Sequence, residues 1–207
     1  MNSASVGARP TIGVFVSPHG FGHASRTHAI LERMLEIEPI LQIELFTRIP
    51  KWFFSSLSDN IDFHELDCDL GLVQSDALRV NYDATLADLS DRLPFDPTEV
   101  RRLGQQLRRL DCQSVLCDIA PLGLVAARAA QLPSVLVENF TWDWIYEGLA
   151  LQAPALSNYA RLLRPIFQNA DLHIQTQPIC EVVATARQIG PIARAFRRSV
   201  KETRATL

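Results

Sequence analysis

The sequence predicts an α/β fold: a Rossmann-like open parallel sheet with helices on both faces. Three observations predict it. Short β-branched and aromatic runs alternate along the chain with segments of helical periodicity. The strand-like runs are continuously apolar rather than alternating, as in strands covered on both faces. At 207 residues, 47% hydrophobic and 21% charged, the chain is long and apolar enough to bury a sizeable core without disulfide or metal.

Thr11–Ser17 is the first strand, stopped by Pro18. From Ala24 to Ile37, apolar residues at Ile30, Leu31, Met34, Leu35 and Ile37 give helical spacing. Gln42–Thr47 and Ile61–Leu66 read as the second and third strands. Asp96-Pro97-Thr98-Glu99 starts a helix, with Asp at N-cap, Pro at N1 and Glu at N3; it runs to about Leu110. Then come a strand over Ser114–Asp118, a helix over Leu122–Ala130 and a strand over Ser134–Glu138. A helix over Leu156–Asn169 and a strand over Leu172–Gln175 follow. Six or seven parallel strands are expected, with residues 18–24 at the carboxyl edge near the middle. In such a sheet, ligands bind outside the carboxyl ends of the strands. The places to look are after Ser17, Thr47, Asp118 and Glu138.

Composition narrows the function classes. The net charge of −3 argues against nucleic-acid binding as the main role. Residues 187–207 hold six basic residues against Glu202 alone, a net +5 that leaves −8 on the rest. That stretch is either a solvated helix or tail, or a connector. Cys68, Cys112, Cys117 and Cys180 show no metal-ligand spacing, and four thiols beside a self-sufficient core fit a reducing compartment. Residues 1–10 carry no signal-peptide core and are expected to be disordered. The most apolar stretch, residues 119–137, is interrupted by Arg128, Gln131 and Pro133, so no transmembrane segment is expected. The expected location is cytoplasmic.

The loop Pro18-His19-Gly20-Phe21-Gly22-His23-Ala24-Ser25-Arg26 is the most informative segment. Its glycines let backbone amides approach a ligand, and the following helix presents its positive end. A Gly-Lys-Ser/Thr phosphate loop is excluded. A dinucleotide fold would need a third glycine where Ser25 stands and an acid after the second strand, where the chain has Arg48. Arg48 would suit a 2′-phosphate, so an NADP-linked oxidoreductase stays open. His19 and His23 have a metal-like i, i+4 spacing, but the glycines disfavour a helix there and no third ligand is near. The third chemistry makes His23 a general base kept neutral by the helix dipole, against the plain alternative of a capping or packing histidine.

This segment resembles the first loop of glycosyltransferases with the two-lobed GT-B fold, including the UDP-glycosyltransferases and the lipid-linked peptidoglycan N-acetylglucosaminyltransferase. The resemblance is most specific to the glycosyltransferase-like N-terminal lobe of L-arabinokinase-type proteins. Residues 66–78 (LDCDLGLVQSDAL), 117–121 (CDIAP) and 138–146 (ENFTWDWIY) carry it further. The resemblance implies an acceptor-binding lobe in which a histidine after the first strand deprotonates the acceptor and an aspartate after a later strand orients it. Those roles fall on His23 and Asp118. Asp118 has a competing assignment as an N-cap before Pro121. Acceptor binding is assigned to His19, Gly20, Gly22, Ser25, Arg26, Gln74, Asp76, Asn139, Trp142 and Asp143. Trp142 and Trp144 could form a stacking surface for a sugar or an aglycone; the alternative is an amphipathic helix that uses Trp144 as a core anchor. Gln74, Ser75 and Asp76 are placed in a polar loop near the same edge.

The implied reaction is direct displacement at the anomeric carbon of a nucleotide sugar by an acceptor hydroxyl, with no metal and no cofactor. The acceptor would be a small molecule or a lipid-linked sugar. The resemblance gives nucleotide-sugar binding to a second lobe or a partner chain. Residues 11–188 would be the acceptor lobe. Ile189–Arg194 would be a hinge and Arg197–Leu207 the first helix of the truncated part, so turnover by the chain alone is expected to be negligible. Ile189, Ile192 and Phe196 would then offer a surface for a homodimer or heteromer. A non-catalytic sugar- or nucleotide-binding module is the alternative.

Overall fold

The computed structural model describes residues 9–57, 59–194 and 200–205. Seven strands form one parallel sheet: β1 (Thr11–Val16), β2 (Gln42–Thr47), β3 (Ile61–Glu65), β6 (Ser114–Asp118), β7 (Ser134–Glu138), β8 (Leu172–Thr176) and β9 (Arg187–Ile189). Their order across the sheet is β3-β2-β1-β6-β7-β8-β9. The order reverses between β1 and β6, which pair in register from Ile12↔Ser114 to Val16↔Asp118. That switch point opens a crevice at the carboxyl edge, with β1 leading into it from one side and β6 from the other.

Alternation along β1 shows how the sheet divides two cores. Ile12, Val14 and Val16 face α1 (Phe21–Ile37), packing with Leu31, Ile43, Leu45 and Phe54. Phe15 points to the other face and stacks on Phe46 at 4.5 Å. That second core is covered by α2 (Tyr82–Arg92), α3 (Pro97–Arg109), α4 (Pro121–Ala130), α5 (Trp142–Gly148) and α6 (Leu156–Gln168). Helices therefore lie on both faces, as the sequence predicts.

The Asp96 cap is formed as expected, its carboxylate accepting from the Thr98 amide at 2.9 Å, with Pro97 opening α3. Other elements differ. α1 starts at Phe21 rather than Ala24, so Gly22 and His23 lie in its first turn despite the glycines. Gln74, Ser75 and Asp76 form a strand, β4 (Gln74–Asp76), of a small antiparallel hairpin with β5 (Arg79–Val80). A 3₁₀ turn over Lys51–Phe54 follows β2. β9 ends at Ile189, where the lobe boundary is expected, and Ile189 and Ile192 are partly buried; Phe196 lies outside the described residues. Val200–Ala205 is helical. No helix among the described residues is long and apolar enough to cross a membrane.

Candidate functional site

β1 and β6 end side by side, and the two strand ends deliver the site. After Val16 the chain turns through Ser17–Gly20 into α1. Gly20 sits at φ +74, a conformation that glycine adopts without strain, and is the N-cap residue; it gives α1 no side-chain cap. After Asp118 the chain turns through Ile119, which holds φ +62 although β-branched and fully buried. A β-branched residue there is strained by on the order of 1–3 kcal/mol. The turn is held by the Ile119 amide donating to Val137 O at 3.2 Å, and the Asp118 carboxylate meets α1, at His23, Arg26 and Thr27.

Asp118 is fully buried and saturated with donors. His23 Nδ1 lies 2.9 Å from Oδ1. Arg26 places Nη2 at 2.5 Å from Oδ1 and donates from Nε to Oδ2 at 2.8 Å. Thr27 Oγ1 donates to Oδ2 at 2.9 Å. Burial alone would push this carboxyl up, but hydrogen bonds from Arg26 and His23 and the Arg26 charge hold it below the ordinary carboxylate value. The capping assignment for Asp118 fails: Ala120 is the N-cap residue of α4, and no side chain caps that helix.

The expected contact between His23 and Asp118 is thus present. Arg26 is placed differently from expectation. It is 8% exposed, and its Nη1 donates to Asn139 Oδ1 at 2.8 Å and Thr176 Oγ1 at 3.3 Å. With four of its five N–H groups given to Asp118, Asn139 and Thr176, the buried guanidinium ties together the ends of three strands, and Asn139 serves to hold it there. Ser25 is half-buried on α1.

His19 stands at the other side of the loop. Its ring meets Trp142 edge-on at 5.3 Å between centroids, and burial, the largest cause, lowers its pKa. Trp142 is buried, and its indole N–H donates to Asp69 at 2.8 Å; Trp144 is 37% exposed. The core anchor is therefore Trp142 rather than Trp144, because α5 turns its first residue inward beneath the loop. Tyr146, one turn on, stacks on Trp142 at 5.7 Å and donates to Gly71 O at 3.0 Å. Asp69 and Gly71 are thereby fixed by α5, and burial raises the Asp69 carboxyl to about 6, against hydrogen bonds from Ser17, Leu70 and Trp142. Neither residue was singled out from the sequence, although both lie in the 66–78 segment that carries the resemblance.

A cavity of about 320 Å³ opens beside His19, lined also by Arg48, Asp67, Leu72, Asp88 and Arg92. It joins apolar walls to charged pairs: Arg48–Asp67 and Arg92–Asp67 at 3.4 Å each. Asp143 is not brought to it. That residue is nearly buried and pairs with Arg164 of α6 at 3.3 Å. Gln74 and Asp76 are exposed on the hairpin, where Asp76 accepts from the Leu78 amide. A larger cavity, about 750 Å³, lies at the opposite edge, by the amino ends of β7 and β8; it contains none of the predicted site residues. Among the described residues, no cluster of three or more metal-ligating side chains is present.

No protein-family model matches the sequence. Among solved structures, a UDP-glucosyltransferase from Polygonum tinctorium superposes over 94% of this chain and 55% of its own, with a TM-score of 0.54 at 15% identity. UGT2 of Phytolacca americana, complexed with UDP-2-fluoro-glucose and pterostilbene, does so over 91% and 55%, at TM-score 0.55 and 13% identity. The chain has the fold of a single GT-B lobe. In sequence, this GT-B lobe is 29% identical over 142 residues to L-arabinokinase of Arabidopsis thaliana. That match covers 67% of the lobe and 14% of the plant protein. The lobe thus spans about half the length of the solved structures and a small part of the curated relative.

Proposed function

We propose that this lobe binds the hydroxyl acceptor of a sugar transfer, with His23 as the base that takes the acceptor's proton. The observation that carries this reading is the 2.9 Å contact of His23 Nδ1 with Asp118, at the carboxyl edge where β1 and β6 meet. A histidine tied to a carboxylate through Nδ1 keeps Nε2 for the substrate. The acceptor oxygen forms a bond to the anomeric carbon as the bond from that carbon to the diphosphate oxygen breaks, and the acceptor proton passes to Nε2. The likeness to structures holding UDP-2-fluoro-glucose supports a nucleotide-sugar donor. The cavity beside His19, with apolar walls and charged rims, suits an acceptor that is itself apolar on its faces and hydroxylated at its edges, such as a sugar.

Stabilisation of the leaving diphosphate falls to a second lobe or a partner chain, because losing even one preorganised donor costs ~10²–10³ in rate. The test is turnover of UDP-sugars against a panel of saccharide and small-molecule acceptors. The 207-residue chain alone is expected to show negligible transfer. Robust turnover by the isolated monomer would contradict the division of labour. With a donor-binding lobe supplied, H23A is expected to lose ~10²–10⁴ in rate.

A further inference from the structure

Asp143 takes no part in the cavity beside His19; it lines another. That cavity, of about 890 Å³, lies on the α5–α6 side of β7 and β8. Strand register sets its floor. His173 pairs with Leu136 and Gln175 with Glu138, so all four lie on the face that α6 covers. His173 Nε2 lies 2.7 Å from Glu138 Oε1, and Gln175 Nε2 donates to the same oxygen at 2.7 Å. Gln175 also donates to Glu181 O at 2.8 Å and accepts from the Val183 amide at 2.9 Å. Residues 181–183 are thereby tied to the sheet as one wall. Phe167, Leu172 and Val183 supply apolar lining. A volume of this size admits a small organic molecule.

Asp143 is 7% exposed, and its two oxygens are unequally served. Oδ2 accepts from Arg164 Nε at 3.3 Å. Oδ1 has no hydrogen-bond partner among the described residues. A carboxylate offers about four acceptor positions, so one bond leaves most of its capacity unused. A strut from α5 to α6 accounts for Oδ2 and leaves Oδ1 unexplained. A buried acceptor without a donor bears its desolvation cost in full until a donor reaches it. Charge points the same way. Asp143, Asp171 and Glu181 line the cavity, and among the described lining residues Arg164 is the only lysine or arginine. Its guanidinium is shared, with Nη2 at 3.8 Å from Glu147. His173 does not offset the three acids, because it faces Glu138.

We propose that this cavity binds a small organic ammonium, its N–H groups donating to Asp143 Oδ1 and its apolar body lying against Phe167, Leu172 and Val183. A primary ammonium brings three donors and the positive charge that the walls lack. A hydroxyl brings one donor and no charge. A carboxylate or phosphate sets a like charge against Asp143. Oδ1 is buried, so the head group has to be slim; a quaternary ammonium is bulky there and carries no N–H. The site shares no residue with the His23–Asp118 contact. It stands or falls without the acceptor-binding reading.

The experiment is calorimetric titration of the full chain at pH 7.5 and fixed ionic strength with four probes: phenethylamine, phenethyltrimethylammonium, phenethyl alcohol and hydrocinnamate. The site is located by ¹H–¹⁵N correlation on histidine-labelled chain, with His173 assigned from its loss in H173Q. Phenethylamine is expected to bind saturably and to shift the His173 signals while those of His19 and His23 stay in place. The other three probes are expected to bind ~10-fold more weakly or not at all. D143N removes the charge and keeps an acceptor, and is expected to weaken phenethylamine by ~10-fold or more. E36Q removes the same charge from an exposed site on α1 and is expected to change nothing. No saturable binding of phenethylamine overturns the proposal. So does equal affinity for the alcohol or the trimethyl analogue, a shift at His19 or His23 in place of His173, or an equal loss in D143N and E36Q. If D143N does not fold, the four probes and the His173 signals of wild type decide alone.

Discussion

Gly71 lies directly against the His19 ring. A Cβ built at position 71 would come 1.9 Å from His19 Cε1 and 2.0 Å from Nε2. Position 71 is fixed in turn by Tyr146, so α5 sets where His19 can be. G71A is therefore expected to swing the His19 ring out of the cavity wall. The moving group is the end of a side chain, so the stability cost should stay at or below about 1–3 kcal/mol. Binding of any ligand in that cavity should weaken by ~10-fold or more, about 1.4 kcal/mol. Thermal unfolding and ligand titration, run side by side, check both halves.

Gly22 is the opposite case. A Cβ there meets nothing within 4 Å, and its φ is not left-handed. Nothing in the chain itself requires glycine at this position. G22A is expected to leave stability unchanged or raise it by up to about 1 kcal/mol, since alanine favours the first turn of α1. If a ligand approaches the helix start closely, the same methyl weakens its binding. A stabilised variant with reduced ligand affinity is the expected pair of results.

Asp69 and Asp118 are both fully buried, yet they respond to pH in opposite senses. Asp69 has its folded value raised, from 3.8 to about 6. Its ionisation in the folded state therefore costs stability that is fully present below the unfolded value and is lost as pH rises through 6. D69N removes that cost and keeps an acceptor for the Trp142 indole. It is expected to stabilise the protein by up to about 3 kcal/mol at pH 7.5 and by much less at pH 4. Asp118 is lowered, so its contribution is present above the unfolded value and lost as pH falls through the folded one. Denaturant melts of D69N and wild type at the two pH values check the sign.

Removing Asp118 and removing His23 should not be equivalent. D118A strands the Arg26 guanidinium, buried at 8% exposure, and is expected to cost about 3–5 kcal/mol. H23A removes one hydrogen-bond partner of Asp118 but leaves the Arg26–Asp118 pair in place, and is expected to cost far less. Chemical denaturation of the two variants reads the difference. Loss of activity in D118A therefore reports on folding as well as chemistry, and H23A is the cleaner probe.

The sheet could be read from the sequence because its strands are buried on both faces and so appear as unbroken apolar runs. The strand-ending Asp118 and the loop histidines could be placed for the same reason. The β4–β5 hairpin could not: Gln74, Ser75 and Asp76 are all exposed and carry no apolar alternation. α2 was missed because Thr85 and Leu89 are its only buried residues, too few to show a period. Arg26 looked like a ligand-binding residue because a basic side chain beside a glycine-rich loop usually meets solvent or an anion. Its burial depends on Asp118, Asn139 and Thr176, which lie 92, 113 and 150 residues away. Which of Trp142 and Trp144 anchors the core could not be read, because a seven-residue helix gives too little sequence to fix which face is inward.

Ligand binding, mapped on the histidine rings, tests the central claim most directly. The chain, labelled at histidine, is titrated separately with a panel of mono- and disaccharides and small hydroxylated aromatics, with UDP-glucose, and with NADP. At least one hydroxylated compound is expected to shift the His19 and His23 signals in a saturable way. H23A is expected to weaken that binding, and neither UDP-glucose nor NADP is expected to shift those signals at the same concentration. Saturable shifts from UDP-glucose or NADP, with none from any hydroxylated compound, would contradict an acceptor-binding lobe.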